Sequence, residues 1–356
     1  MRVITIVGTR PEIIKMSEFL RRASAVFDHI LVHTGQNYST NLGEVFFRDL
    51  DIKQPDYWLD VASEGSENTL GNIINRTYKL LNELRPDAVV VYGDTHSCLS
   101  AISAKRQGIK VFHVEAGNRS FDSNLPEEMN RRIVDHISDV NICLSSNAKT
   151  YLLEEGIRGD KVFNIGSPMM EIYARHKAKI DTKGLMNNLE NEKYILLTLH
   201  RDYLMRNDAL LNNIVRCIVD IGAKYNLRVI MTAHPRAIDL IKVSKDNFEI
   251  VPSVGYIEFV NLMKGSVLVC SDSGTITEEA FVYGVKALSI RNSHERPEGM
   301  EGGELIHTGY NVDRIGEILD LTLNHSFDEG FIPDYSSGNW SDKLMKIIIS
   351  ELCITS

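Results

Sequence analysis

Short runs of β-branched and other apolar residues alternate along the chain with longer segments in which apolar positions recur every three or four residues. The runs in the first half are residues 3–7, 30–33, 88–92, 111–114, 140–144 and 162–165. Apolar residues do not alternate with polar ones inside these runs, which is typical of strands buried on both faces of a parallel sheet. Ile13, Met16, Leu20 and Ala23 have the spacing of a helix with one buried face. The pattern therefore predicts a doubly wound α/β sheet.

The alternation stops after Pro168 and starts again near residue 194. The second series of apolar runs is 194–199, 229–232, 249–252, 267–270 and 287–290, and the polar stretch 175–193 is interpreted as a linker with a peripheral helix. A chain of 356 residues is longer than one ordinary core requires. We therefore expect two Rossmann-like, doubly wound domains facing a cleft, over residues 1–170 and 190–335. A C-terminal helical segment, 336–356, follows, and the sequence leaves open which domain it packs on.

Composition and charge argue against several classes of protein. The formal net charge of −9 is unfavourable for nucleic-acid binding, which needs basic surface. No signal peptide and no apolar run of membrane-spanning length is present, so a cytoplasmic protein is expected. The five cysteines are scattered, and no metal-ligand motif, G-x-G-x-x-G or P-loop occurs. We therefore expect no metal, no nicotinamide or other cofactor, and no membrane partner.

Polar residues follow nearly every predicted strand. Ligands bind beyond the carboxyl ends of the strands in doubly wound sheets. The polar segments there are 8–12, 34–37, 93–95, 113–117 and 166–168 in the first half, and 199–201, 233–236, 271–274 and 291–298 in the second. They supply the candidate ligand-binding residues Arg10, Gln36, Asp94, Glu115, His200, Arg201, His234 and Arg291. One large cleft between two domains is the simplest arrangement that uses all of them.

Several of these segments also have a purely structural interpretation. Residues 8–11 fit a turn with proline at the first helical position, and Asp94 fits a helix N-cap. The basic residues at 200–201 and 234–236 fit an ordinary surface. Glu115 is harder to explain this way, because it ends an apolar strand where an unpaired carboxylate is costly. His113 and His136 are interpreted as structural histidines.

The segment SDSGTITEEA, residues 271–280, combines anion-binding residues with carboxylates. Ser273, Gly274 and Thr275 can offer N–H and hydroxyl donors to a diphosphate at a helix N-terminus. Glu278 and Glu279 would repel a bare anion, but a carboxylate one turn on can accept hydrogen bonds from ribose hydroxyls. One of the two could instead face solvent. Phosphate together with ribose indicates a nucleotide.

Seven segments together resemble the non-hydrolysing UDP-N-acetylglucosamine 2-epimerases. They are GTRPEIIKM (8–16), GDT (93–95), HVEAGNRS (113–120), PEEMNRR (126–132), LHR (199–201), SDSGTITEEA and ERPEG (295–299). The match runs in the family's order through nearly the whole chain. The resemblance implies two Rossmann-like domains of the glycosyltransferase-B type, a homodimer, a UDP-N-acetylhexosamine substrate and no redox cofactor.

The resemblance also implies roles for individual residues. Asp94, Glu115 and Glu127 would be catalytic carboxylates beside Arg131, and His200 the catalytic or phosphate-side histidine. Arg10 and Lys15 would lie near the phosphates, residues 273–275 would hold the diphosphate, and Glu279 the ribose. The expected reaction interconverts UDP-N-acetylglucosamine and UDP-N-acetylmannosamine through 2-acetamidoglucal, for surface polysaccharide precursors. It needs two acid/base groups and a closed site, and the sequence leaves open which carboxylate serves which face of C2.

Four segments depart from the family pattern. Residues 34–38 stand in place of T-A-Q-H, 202–204 in place of an Arg followed by Glu-Asn, 234–236 in place of H-x-N-P, and 292–294 in place of D-T-T. These departures resemble a capsule and O-antigen branch that epimerises other UDP-N-acetylhexosamines, including the one leading to UDP-N-acetyl-L-fucosamine. They predict weak or no activation by a second nucleotide sugar. A glycosyltransferase, a hydrolysing epimerase and a nucleotide-sugar sensor are the alternatives.

Overall fold

The computed structural model of the chain describes residues 1–36, 47–63, 65–182, 189, 192–233, 235–325, 327–328 and 330–354. The chain divides into two compact units. The first unit comprises Met1–Ala174 and Pro333–Ser356, and the second comprises Arg175–Ile332. Each unit is built on one parallel sheet.

The first unit contains seven strands among the described residues. They are β1 (Arg2–Val7), β2 (Asp28–His33), β3 (Tyr57–Trp58), β4 (Ala88–Tyr92), β5 (Lys110–Val114), β6 (Val140–Cys143) and β7 (Val162–Asn164). Its helices are α1 (Arg10–Ala23), α2 (Ser66–Leu84), α3 (Ser100–Arg106), α4 (Pro126–Ile137) and α5 (Ser146–Glu154), and α6 (Met169–Thr182) begins in it. The strands pair in parallel in the order β3-β2-β1-β4-β5-β6-β7.

The second unit repeats this plan with six described strands. They are β8 (Tyr194–Thr198), β9 (Arg228–Ala233), β10 (Phe248–Pro252), β11 (Leu268–Ser271), β12 (Ala287–Ser289) and β13 (Leu305–His307). Its helices are α7 (Asp202–Met205), α8 (Asp208–Lys224), α9 (Pro235–Ile238), α10 (Tyr256–Gly265), α11 (Ile276–Tyr283), α12 (Glu298–Glu301) and α13 (Val312–Asn324). The strands pair in parallel in the order β10-β9-β8-β11-β12-β13.

The C-terminal helix α14 (Trp340–Cys353) belongs to the first unit, where it lies against α1. Trp340, Leu344 and Ile348 are buried on its inner face. Arg22 of α1 donates a hydrogen bond to Ser341 Oγ at 2.8 Å and forms an ion pair with Asp342. The question that the sequence left open is thereby answered. None of the described helices is both long and apolar enough to cross a membrane.

The predicted fold class is confirmed in both units. Val89, Val90 and Val91 are consecutive and fully buried, as expected for a strand covered on both faces. Each sheet also has a point where the strand order reverses, between β1 and β4 in the first unit and between β8 and β11 in the second. Ligands of doubly wound sheets bind outside the carboxyl ends of the strands at this switch point. The turns after these four strands are therefore where a site is expected.

Candidate active site

The two turns at the switch point of the first unit are joined by Glu12. Its carboxylate accepts hydrogen bonds from the Gly8 amide at 2.7 Å and from Thr9 Oγ1 at 2.9 Å, which follow β1. It also accepts from Thr95 Oγ1 at 2.5 Å and Ser97 Oγ at 2.9 Å, which follow β4. Burial raises the pKa of Glu12 to about 7, although these four donors oppose the increase. Glu12 is not among the residues to which the sequence assigns a role, although an acidic residue in the first turn of a helix is a visible signal.

Glu115, the residue after β5, is held by a buried lysine and a tyrosine. Lys15 Nζ lies 2.7 Å from Glu115 Oε2, and the hydroxyl of Tyr92 donates to the same oxygen at 2.6 Å. Glu115 has a backbone φ of +65°. A non-glycine residue in this left-handed region costs free energy and is concentrated at functional sites. The carboxylate is thus fixed at the carboxyl edge of the sheet by its backbone and by two side chains.

Asp94, which follows β4, forms an ion pair with Arg131 of α4. Arg131 Nε donates to Asp94 Oδ2 at 3.0 Å, while its Nη1 donates to Glu128 Oε2 at 2.6 Å. Asn130 donates from Nδ2 to the Asp94 carbonyl oxygen at 2.9 Å. The Asp94 side chain remains 20% exposed, whereas that of Arg131 is 4% exposed. Asp94 is therefore held in place by Arg131 and Asn130 of α4, and the exposed part of its side chain can still contact a ligand.

The other residues assigned to the first half differ in environment. Glu127 lies in the first turn of α4 and is exposed, whereas its neighbour Glu128 is buried. Arg10 begins α1 and is half-buried, and burial lowers the pKa of its guanidinium. Gln36 donates from Nε2 to Thr95 Oγ1 at 3.0 Å, so it adjoins the turn after β4. The structure thus brings Arg10, Lys15, Gln36, Asp94, Glu115 and Arg131 to the carboxyl edge of one sheet.

Asp272 organises the switch point of the second unit. This fully buried carboxylate, one residue after β11, accepts from the backbone N–H groups of His200 at 3.0 Å and Arg201 at 2.9 Å. His200 Nδ1 also lies 3.1 Å from its Oδ1. Arg201 Nε donates to the Asp272 carbonyl oxygen at 3.0 Å. Asp272 lies in the SDSGTITEEA motif, but the resemblance gives it no role. The structure shows that it fixes the turn carrying His200 and Arg201.

The predicted diphosphate loop, residues 273–275, precedes α11 directly. The hydroxyls of Ser273 and Thr275 lie 2.9 Å apart, and both residues are partly exposed. A Cβ atom on Gly274 would lie 2.6 Å from Glu295 Oε1, so close packing requires glycine there. Glu278 is fully buried and accepts from Arg296 Nε at 2.9 Å, whereas Glu279 is half-buried. Of the two carboxylates, Glu278 is therefore the structural one.

Arg291 lies beside this loop. Its Nη2 donates to Glu295 Oε2 at 2.6 Å, and a Cβ atom on Gly274 would lie 3.3 Å from its Nη1. Burial lowers the pKa of Arg291, and the nearby charge of Arg201 acts in the same direction. Two guanidinium groups close enough to affect each other favour an anionic occupant. Among the described residues, the second unit therefore brings together His200, Arg201, Ser273, Gly274, Thr275 and Arg291.

The segments that depart from the family pattern are only partly described. His234, Asn37 and Tyr38 lie outside the described residues. Tyr203 stacks on Tyr310 with ring centroids 5.1 Å apart, and His294 stacks on His307 with centroids 3.9 Å apart. Within the described part of the chain, no group of three or more His, Cys, Asp or Glu side chains has the arrangement of a metal site.

Comparison with known proteins agrees with this geometry. The family model described as UDP-N-acetylglucosamine 2-epimerase matches residues 20–349. A solved structure of UDP-N-acetylglucosamine 2-epimerase from Rickettsia bellii is 38% identical, with a TM-score of 0.91 and coverage of 99% of this chain and 97% of that one. The enzyme from Methanocaldococcus jannaschii, solved in complex with UDP-N-acetylglucosamine and UDP, is 33% identical, with a TM-score of 0.90 and coverage of 98% of this chain and 100% of that one.

A third relative has a different named substrate. The UDP-2,3-diacetamido-2,3-dideoxy-D-glucuronate 2-epimerase of Pseudomonas aeruginosa is 31% identical over 98% of this chain and 99% of its own length. The family model covers most of the chain, and these relatives match it nearly end to end. The protein therefore belongs to the UDP-N-acetylglucosamine 2-epimerase family.

Proposed function

We propose that the protein is a non-hydrolysing epimerase that interconverts UDP-N-acetylglucosamine and UDP-N-acetylmannosamine. The observation that carries the proposal is the placement of Asp94 and Glu115 after neighbouring strands of one sheet. Each carboxylate is held by a buried cation, Arg131 for Asp94 and Lys15 for Glu115. Paired carboxylates positioned in this way are suited to general acid–base catalysis. The M. jannaschii relative, solved with UDP-N-acetylglucosamine and UDP, supports the substrate assignment.

The proposed reaction is an elimination followed by an addition. A carboxylate takes the proton from C2, and the electron pair of that C–H bond forms the C1–C2 double bond. The C1–O bond breaks, and its electron pair leaves with UDP. The resulting 2-acetamidoglucal receives a proton on the opposite face of C2, and UDP adds again at C1. All electron pairs remain within the sugar and UDP, so the reaction requires no oxidant and no reductant.

We assign the acid and base roles to Asp94 and Glu115, with Glu127 as a third carboxylate. In this proposal the first unit also binds the substrate through four other residues, Arg10, Lys15, Gln36 and Arg131. Residues 1–170 form the sugar-binding, catalytic domain in this proposal.

We assign UDP binding to the domain formed by residues 190–335. Residues 273–275 and the side chains of His200, Arg201, His234 and Arg291 bind the diphosphate, and Glu279 accepts hydrogen bonds from the ribose. Hydrogen bonds to charged groups each contribute about 1.5–3 kcal/mol, so several such contacts are sufficient to retain UDP while the glycal forms. In this proposal the protein works in the cytoplasm as a homodimer, and the homodimer rests on the family resemblance.

Incubation with UDP-N-acetylglucosamine alone, in deuterated water, tests the function. We expect a UDP-linked epimer that carries deuterium at C2, because the abstracted proton exchanges on the carboxylate. Free sugar plus UDP would indicate a hydrolysing epimerase. Binding without reaction would indicate a glycosyltransferase that lacks its acceptor, or a sensor. An unlabelled product whose formation depends on added NAD would overturn the elimination mechanism.

A second candidate is a C2 epimerase for another UDP-N-acetylhexosamine, such as the 6-deoxy-L-sugar that leads to UDP-N-acetyl-L-fucosamine, in capsule or O-antigen synthesis. The stacked pairs Tyr203–Tyr310 and His294–His307 favour it, because the rings of Tyr203 and His294 stand where the family pattern has Glu and Thr. The P. aeruginosa relative shows that family members are named for other sugars.

Initial rates with both substrates distinguish the candidates. A hyperbolic rate curve is expected, and a sigmoidal curve with UDP-N-acetylglucosamine would contradict the absence of a second sugar site.

A further inference from the structure

His113 belongs to a fully buried hydrogen-bond network near the end of β5. Strands β4 and β5 precede the two proposed catalytic carboxylates, Asp94 and Glu115. Its Nδ1 is 2.8 Å from Asp135 Oδ1, and its Nε2 is 2.7 Å from the carbonyl oxygen of Gly93. The side chains of His113, Asp135 and Arg119 are all 0% exposed. No water competes for these contacts, so the donor and acceptor of each one must come from the protein itself.

The partners of His113 require protons on both ring nitrogens. A neutral imidazole carries one N–H and one acceptor nitrogen. A carbonyl oxygen can only accept, so Nε2 must donate to Gly93. A carboxylate can only accept, so Nδ1 must donate to Asp135. Any neutral tautomer would place two acceptors less than 3 Å apart in a site that excludes water.

The alternative of a protonated Asp135 is disfavoured by its other contacts. Arg119 Nη1 donates to Asp135 Oδ2 at 2.7 Å, and the Gly117 amide lies 3.3 Å from both carboxylate oxygens. Donors of this kind stabilise the charged form of a carboxyl group. Arg119 also pairs with Glu155, so two cations, His113 and Arg119, face two anions, Asp135 and Glu155. Buried charges persist when they are paired in this way.

The Gly93 peptide is the link from this network to catalysis. Gly93 has a φ of +65°, and its N–H donates to the Val114 carbonyl oxygen at 2.8 Å. His113 holds the carbonyl oxygen of the same residue. Both polar groups of Gly93 are therefore fixed by β5, and the next residue along the chain is Asp94. The direction of the Asp94 side chain depends on this anchored turn.

We propose that His113 is a buried imidazolium that positions Asp94 for proton transfer by holding the Gly93 carbonyl oxygen. Its role as a positioning residue rests on the proposed epimerase function, but its protonation state does not. His113 does not touch the reacting atoms in this proposal. It acts through the backbone.

The protonation state can be read by nuclear magnetic resonance on protein carrying ¹⁵N-labelled histidine, at neutral pH. We expect both nitrogens of His113 to carry slowly exchanging protons, in a signal that is absent from H113Q. His29 provides an internal control in the same unit. Its Nε2 lies 2.9 Å from Thr5 Oγ1, its Nδ1 has no hydrogen-bond partner among the described residues, and burial lowers its pKa to about 4. His29 should therefore carry one ring proton, identified with H29Q.

The positioning role is tested by two variants at one site. The amide of a glutamine reaches the place of Nε2, so H113Q can still donate to Gly93. The amide of an asparagine reaches only the place of Nδ1, so H113N loses that contact. Because a small misplacement of a catalytic group can cost up to about 10²-fold, we expect kcat to fall about tenfold or more in H113N and less in H113Q. KM and the affinity for UDP should stay unchanged, and H29Q should keep wild-type kcat.

Two results would overturn the proposal. One is a bare nitrogen on His113 in the wild-type spectrum, and the other is a folded H113N variant with wild-type kcat. If H113N does not fold, two measurements remain. They are the ring protons of His113 in the wild-type spectrum and the kcat of H113Q, which should be lower than that of H29Q. A wild-type protein without epimerase activity would refute the proposed function, while the spectrum would still report on the imidazolium.

Discussion

Lys15 and Glu115, which are 100 residues apart in sequence, form an ion pair of 2.7 Å between side chains that are only 2% and 9% exposed. Lys15 comes from the inner face of α1 and Glu115 from the end of β5. Removal of one member of such a pair leaves the other charge buried without compensation, at a cost of about 3–5 kcal/mol. Each member of the pair therefore compensates the buried charge of the other.

We predict that Lys15→Met lowers the free energy of unfolding by about 3–5 kcal/mol, whereas K15M/E115Q recovers part of the loss because the buried charge is gone. Urea denaturation measures both. Arg314→Gln is the control, since the Arg314–Glu317 pair is exposed and should contribute no more than about 1 kcal/mol. Equal losses in K15M and in the double variant would show that packing, rather than charge, is what Lys15 supplies.

Glu12 gives a pH dependence of stability with a definite sign. Its pKa is about 7 in the folded protein and 4.5 in the reference state, so the folded protein holds the proton more tightly. Its stabilising contribution is fully present below the unfolded pKa and is lost as pH rises through about 7, a change of about 3 kcal/mol. Glu12→Gln is neutral at every pH. The stability of E12Q relative to wild type should therefore rise between about pH 5 and about pH 8.

The control for this experiment is Glu83→Gln, which alters an exposed glutamate of α2. This variant removes one carboxylate from the surface and controls for the loss of charge alone. Urea denaturation at both pH values yields the two differences. A relative stability of E12Q that is constant or falls with pH would show that Glu12 is ionised throughout, held so by its four hydrogen-bond donors.

Most of the fold could be predicted because burial on both faces leaves a local signature. Strands β4 and β8 lie in uninterrupted apolar runs that the sequence displays directly. Strands β3 and β13, of two and three residues, were missed, although the equally short β7 and β12 were predicted. The ends of the longer strands could be placed to within one or two residues, which was enough to predict that Asp94 and Ser273 follow a strand.

Helix α4 shows why part of the site could not be predicted. Its buried face carries Glu128, Asn130, Arg131 and Asp135 beside Val134, whereas its apolar residues Met129 and Ile133 are exposed. Most of the buried side chains are therefore polar, because this face supplies the ion pairs of the Asp94 turn. The resemblance assigns a catalytic role to Glu127, which stays a prediction, and gives no role to Glu128, the neighbour that pairs with Arg131. Glu12 and Asp272 were missed for a related reason, since their partners are backbone and hydroxyl groups brought near only by the fold.

We assign acid–base catalysis to the first unit and UDP binding to the second. Substitutions in the first unit should therefore lower kcat, and substitutions in the second should weaken UDP binding. Asp94→Asn and Glu115→Gln should each reduce kcat by about 10² or more, the usual scale for general acid–base groups, with UDP affinity unchanged. Glu279→Ala should instead weaken UDP binding by about 1–3 kcal/mol. Calorimetry with UDP and initial rates measure the two effects. Loss of UDP affinity in D94N, with none in E279A, would reverse the assignment. E317A, which alters an exposed residue of α13, is the control.

Asp272 and His200 allow a sharper test of the second unit. In the wild type the Asp272 carboxylate accepts from the backbone N–H groups of His200 and Arg201, and its Oδ1 lies 3.1 Å from His200 Nδ1. Because a carboxylate can only accept, we expect the ring proton of a neutral His200 on Nδ1, with Nε2 facing the diphosphate. In Asp272→Asn the amide oxygen takes the place of Oδ2 and accepts from the two backbone N–H groups. The amide N–H group takes the place of Oδ1 and faces His200 Nδ1. The ring must then accept at Nδ1 and carry its only proton on Nε2.

We predict that D272N moves the ring proton of His200 from Nδ1 to Nε2, visible in the ¹⁵N shifts of the imidazole. It should also reduce kcat by about 10²-fold or more, because the ring then no longer presents an Nδ1–H to a carboxylate; the same exchange at a serine-protease aspartate lowers kcat by about 10⁴ through the wrong tautomer. D313N, an exposed aspartate of α13, is the control. A D272N protein with the wild-type tautomer and wild-type kcat would show that Asp272 acts only on the backbone of the turn, through the N–H groups of His200 and Arg201.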